Sequence, residues 1–290
     1  MEEGERTEPT QAPIEVGKVG KGSGRNLKVA IVTGLLLAGI VIGTLLYSAT
    51  AFFVLAFVVL MVAQVEFYSA VRKAGFKPAT ILGLTAGATM LIGVFARGEG
   101  AVPLVIFLTF VFTFIWFLGS KPLSEVVRNL SVTLFGVLYV PLLGSFAGLL
   151  VTRGDGRAVV LAAIAAAALY DTFAYGFGSM IGKRLLAPSV SPHKTIEGAL
   201  AATLLLAAVG PPLIIWLGLG PWSYVEALGF VAMISIAAPA GDLFESMLKR
   251  DLGIKDMGTI FPGHGGALDR VDAILFAMPM TYLSLRLFGL

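Results

Sequence analysis

The sequence predicts an all-α fold, a polytopic bundle of about nine membrane helices, and three observations carry that reading. First, 57% of the 290 residues are apolar and only 13% charged, with a mean hydropathy of +0.89, whereas a soluble domain carries roughly 25% charged residues. Second, the apolar residues fall into runs close to the roughly 20 residues that a helix needs to cross a bilayer core. Third, the charges collect between those runs, most densely in the second half of the chain. The chain has no cysteine, which excludes a disulfide framework and a thiolate metal site.

Residues 1–26 stand apart. They are polar, with Pro, Gly and Ser and no apolar period, so they are read as a disordered tail or an added extension, not a signal peptide. Residues 27–290 form the expected membrane domain. Its spans are 27–47, 51–68, 79–95, 101–118, 130–152, 158–181, 196–217, 224–244 and 271–288. The second and third are short and fit a bilayer with little tilt. The sixth places Asp171, Ala174, Tyr175, Gly178 and Gly182 on one helical face, and its two glycines form a small-x-x-x-small pair that lets another helix come close. The eighth ends in a polar stripe. Asp242, Glu245, Ser246, Lys249 and Gly253 are spaced i, i+3, i+4, i+7 and i+11, again one face at about 100° per residue. The ninth begins after a glycine-rich turn and opens with Asp269, Arg270 and Asp272.

Loop charge predicts orientation. With the N-terminus inside, 17 of the 21 Lys and Arg lie on the inner side, against Arg97, Arg153, Arg157 and Arg286 outside. The positive-inside rule then puts the N-terminus and both polar blocks in the cytoplasm and the C-terminus outside.

The chemistry has bland explanations and sharper ones. Asp269 could simply cap a helix, but capping accounts for one acid, not for Asp-Arg-x-Asp after His264, Gly265 and Gly266. A carboxylate at the depth of Asp242 costs about 2.5–3.5 kcal/mol on insertion scales and needs a cation or metal beside it. Asp171 could be a structural hydrogen bond between helices, and His193 reads as a solvated loop residue. The turn 261–266 cannot be regular helix, and its glycines let backbone N–H groups approach an anion. No P-loop is present.

Two blocks resemble the phosphatidate cytidylyltransferase (CDP-diacylglycerol synthase) family. The signature in 242–272 is met by Ser246, Leu248, Lys249, Arg250, Lys255, Asp256, Pro262, His264, Gly265, Gly266, Asp269, Arg270 and Asp272. The earlier block is met by Asp171, Ala174, Tyr175, Ser191, Pro192, Lys194, Thr195, Glu197 and Gly198. Ala267 and Thr172 depart from the usual residues without touching a ligand position. The resemblance implies transfer of CMP from CTP to phosphatidate, giving CDP-diacylglycerol and pyrophosphate for phospholipid synthesis. It implies a homodimer in the cell's inner membrane, with no nucleic-acid partner. It implies Mg²⁺ held by Asp242 and Asp269, with a second, monovalent cation such as K⁺ as an option. Asp242, Asp269, Lys249 and Asp171 would be catalytic. Ser246, Arg250, Lys255, Asp256, His264, Gly265, Gly266, Arg270, Asp272, Ser191, Lys194 and Glu197 would contact substrates. The competing classes are a CTP-dependent polyprenol kinase, which would release CDP, and an ion-coupled transporter, which would need its polar groups along a path through the bilayer.

Overall fold

The computed structural model describes residues 27–119, 123–258, 260 and 265–290. The tail read at 1–26 and the Pro262 and His264 positions of the signature lie outside the described residues. Ten α-helices follow one another: α1 (Leu27–Tyr47), α2 (Ala49–Lys73), α3 (Thr80–Arg97), α4 (Ala101–Leu118), α5 (Val126–Val137), α6 (Leu143–Val151), α7 (Gly156–Ile181), α8 (Ile196–Leu217), α9 (Tyr224–Asp251) and α10 (Leu268–Phe288). Between α7 and α8 the chain forms an antiparallel hairpin, β1 (Leu185–Ala187) and β2 (Ser191–Thr195). The all-helical expectation left out this hairpin, because a three-residue strand paired with SPHKT has no period-2 apolar pattern to read.

Seven helical stretches among the described residues are long and apolar enough to cross a membrane. One of them, Thr80–Leu118, contains both α3 and α4, and Gly34–Tyr47 adds a shorter apolar helix. The span expected at 130–152 is α5, a π-turn at Leu138–Leu142 and α6. Pro141 lies inside that turn. Proline has no N–H to give and its ring crowds the carbonyl four residues back, so the helix widens locally instead of running straight. Along α4, Leu104, Phe107, Phe110, Phe112, Phe114, Ile115 and Trp116 are all exposed, as a helix facing lipid requires.

Two sub-bundles share α10. In one, α7, α8, α9 and α10 enclose a core around Ala163, Ala167, Leu206, Phe230 and Ile234. In the other, α2, α3, α5 and α6 surround Phe67, Tyr68, Tyr139 and Leu275. Small residues set the α7–α8 distance. A Cβ on Gly198 would stand 2.7 Å from the Ala174 carbonyl oxygen and 2.8 Å from the Gly178 Cα, so the small pair expected on the sixth span receives α8. At the far end of α9, Gly253 (φ 67°) terminates the helix, with its N–H on the Arg250 carbonyl and that of Ile254 on Lys249. Gly253 is thus a C-terminal stop and not the last member of the polar face.

Candidate active site

The polar residues of the two blocks meet at one end of the α7–α10 bundle. There α7 contributes Asp171 and Tyr175, β2 contributes Ser191, His193, Lys194 and Thr195, α9 contributes Asp242, and α10 contributes Asp269, Arg270 and Asp272. They line a cavity of about 400 Å³, within the roughly 300–1,000 Å³ range of small-molecule sites. Helix positions explain the convergence. Asp242 falls in the last third of α9, whereas Asp269 and Asp272 fall in the first turns of the antiparallel α10. The hairpin then folds Lys194 back across the gap between α7 and α9.

The ion pairs are short and partly buried. Lys194 Nζ stands 2.6 Å from Asp242 Oδ2, and Ser246 Oγ donates to Asp242 Oδ1 at 3.3 Å. Lys249 Nζ bridges Glu245 Oε2 at 2.6 Å and Asp269 Oδ1 at 2.8 Å. The other oxygen of Asp269 accepts from the backbone N–H of Met257 at 3.0 Å and of Gly266 at 2.8 Å. Asp269 therefore ties the loop ends together with one oxygen and turns the other toward Lys249. Phe135, Tyr139 and Phe244 pack on one another in the second core.

Several expected substrate contacts sit elsewhere. Arg250 Nε donates to the Val190 carbonyl at 3.2 Å, so it secures the hairpin turn. Glu197 Oε2 accepts from the N–H groups of Lys183 and Arg184 at 2.9 and 3.0 Å, closing the α7–β1 connection outside the cavity. Lys255 and Asp256 are exposed and do not line the cavity. Gly265 (φ 82°) and Gly266 support Asp269. His193, read as a solvated loop residue, is exposed but borders the cavity.

Two acids were missed as site residues. Glu245 is fully buried against Lys249. Glu66 is 5% exposed on α2, with one oxygen accepting from the Leu268 N–H at 3.0 Å. Both carried a signal, since an ionisable residue within an apolar span is a functional candidate by default.

Among the described residues, no group of three His, Asp or Glu side chains forms a ready metal cage. The donor set still suits Mg²⁺, which is commonly bound by one or two carboxylates together with substrate phosphates. Asp171, Asp242, Asp269 and Asp272 line the cavity with Lys194 and Arg270, so its formal charge is negative and a cation would neutralise it. One oxygen of buried Glu245 also has no partner among the described residues.

A model of the cytidylyltransferase family matches residues 28–288. The phosphatidate cytidylyltransferase of Mycobacterium leprae (strain TN) is 34% identical over 289 residues, covering 91% of this chain and 89% of that protein. The phosphatidate cytidylyltransferase of Mycobacterium tuberculosis (strain H37Rv) is 31% identical over 292 residues, covering 91% and 84%. That of Bacillus subtilis (strain 168) is 43% identical over 119 residues, covering 41% and 44%.

Proposed function

The chain belongs to the cytidylyltransferase family, and from that premise we propose how its site carries out CMP transfer from CTP to phosphatidate. The enzyme is a nucleotidyltransferase with several membrane helices. A phosphate oxygen of phosphatidate attacks the α-phosphorus of CTP. The bond from that phosphorus to the bridging oxygen breaks, and pyrophosphate leaves with the electron pair. The nucleophile is already anionic, so no protein base has to deprotonate it. The barrier lies in bringing two anions together, and catalysis of such transfers is chiefly positioning and charge stabilisation.

The observation that carries this reading is the single cavity into which α7, β2, α9 and α10 direct Asp171, Lys194, Asp242, Asp269 and Asp272. Asp242 and Asp269 would hold Mg²⁺, which when bound neutralises phosphate charge and stabilises the departing pyrophosphate. Asp171 and Asp272 would serve any second, monovalent cation. Lys194 and Arg270 border the same cavity and supply positive charge to phosphate groups. Lys249 pairs with Oδ1 of Asp269 and fixes its orientation. The bilayer supplies phosphatidate at the end of the helices, and CTP arrives from the cytoplasm. A homodimer in the inner membrane completes the proposal.

Purified protein given CTP, phosphatidate and Mg²⁺ should form a nucleotide-linked lipid and pyrophosphate in equal amounts. Chelating the metal should stop both. Release of CDP in place of pyrophosphate, or no lipid product, would overturn the reading.

A further inference from the structure

We propose that Glu66 is a positioning residue, whose buried carboxylate holds the first turn of α10 and with it the orientation of Asp269 at the cavity. The N-cap position of α10 is Ala267, which makes no side-chain capping bond. The Leu268 N–H, one of the N–H groups that a helix start leaves unsatisfied, instead donates to Glu66 Oε2 from a helix 202 residues earlier. Two glycines of the connecting loop lie against the same carboxylate. A Cβ on Gly258 would overlap Glu66 Oε1, and one on Gly266 would overlap Oε2. Asp269 Oδ2 then binds the N–H groups of Met257 and Gly266, the neighbours of those contacts. Two carboxylates from different helices thus hold the same two pieces of chain, 257–258 and 266–268. Only Asp269 Oδ1 remains directed at a side chain, Lys249. A buried anion is costly unless hydrogen-bonded. Here the start of α10 compensates it, and its dipole favours negative charge at that end.

The proposal rests on the reading of Asp269 as a group that meets the nucleotide's metal, so its test needs a readout other than turnover. Full-length Glu66→Ala and Glu66→Gln enzymes are compared in detergent by steady-state kinetics and by hydrogen exchange at the Leu268 amide. Loss of the acceptor should lower kcat by about tenfold or more and speed Leu268 exchange by about tenfold, the value of one buried hydrogen bond. KM for phosphatidate should stay unchanged. Glu66→Gln keeps an acceptor oxygen for the Leu268 N–H, although its amide nitrogen would be buried at a position with no described partner. It should slow Leu268 exchange again relative to Glu66→Ala and retain more turnover than Glu66→Ala. Wild-type kcat in Glu66→Ala overturns the proposal. So does an equal loss in both variants with unaltered exchange, which would make Glu66 a charge in the site and not a support. If Glu66→Ala is not recovered folded, Glu66→Asp, one methylene too short to reach Leu268, takes its place against Glu66→Gln. If the wild-type enzyme forms no nucleotide-linked lipid, the functional reading fails, and the exchange comparison still decides whether Glu66 holds the helix start.

Discussion

Lys249 has two carboxyl neighbours and little water. Its side chain is 16% exposed, that of Glu245 0% and that of Asp269 6%. Removing one partner of a buried charge cluster leaves the others uncompensated, at a cost of about 3–5 kcal/mol. Lys249→Met should therefore lower the thermal midpoint well beyond an ordinary surface change, followed by circular dichroism in detergent. Adding Glu245→Gln should restore part of that loss, because it removes a buried carboxyl group left without its cation. A midpoint equal to wild type would mean that Lys249 reaches water and the ion pairs contribute little. The acids make a different prediction. Asp269→Asn and Asp242→Asn keep the shape and one acceptor oxygen but lose the charge. If they meet the metal, kcat should fall by about a hundredfold or more, since a bound cation supplies several kcal/mol of charge stabilisation. Near-normal turnover in either folded variant would remove that residue from the metal site.

At the scale of elements, the site depends on how closely α7 and α8 approach. Gly198→Leu would push a side chain into the Ala174 carbonyl and the Gly178 Cα. Backbone cannot yield there as a flexible side chain would, so overpacking should cost about 1–3 kcal/mol. Because β2 leads directly into α8, the same shift should draw Lys194 away from Asp242 and reduce turnover along with the thermal midpoint. Loss of neither would mean that the helices adjust independently of the hairpin. This close approach was legible in the sequence, through the Gly178 and Gly182 pair, as were nearly all the helices, because an apolar run has few other structures open to it. The hairpin and the π-turn were not. One is secured by Glu197, which accepts from backbone N–H groups, and by Arg250, which donates to a backbone carbonyl, and the other is made by a single proline within an unbroken apolar run. Among site residues, the spacing on α9 identified Asp242, Ser246 and Lys249. It could not tell a cation that faces substrate from one, like Lys249, that is consumed by neighbouring acids. Glu66 stood out as an ionisable residue in an apolar span, but its contact with the start of α10 appears only when α2 and α10 are brought together across 202 residues.

For the whole molecule, chain geometry makes its orientation in the membrane testable. The hairpin, the end of α9 and the start of α10 gather at one end through the Arg250–Val190 and Lys194–Asp242 contacts. The α6–α7 connection lies at the other, because α7 is 26 residues long and a helix rises about 1.5 Å per residue, roughly 39 Å in all. The excess of Lys and Arg at the site end argues that this end is inside, where CTP is available. The chain has no cysteine, so a single introduced thiol reports its side without background. Gly154→Cys has open space around it and lies in the α6–α7 connection. Asp251→Cys is exposed beside the site end without lining the cavity. In intact cells stripped of any outer barrier, a membrane-impermeant maleimide should label Gly154→Cys directly and Asp251→Cys only after permeabilisation. The opposite pattern would place the carboxylate cavity outside, away from its nucleotide, and the proposed reaction could not run there.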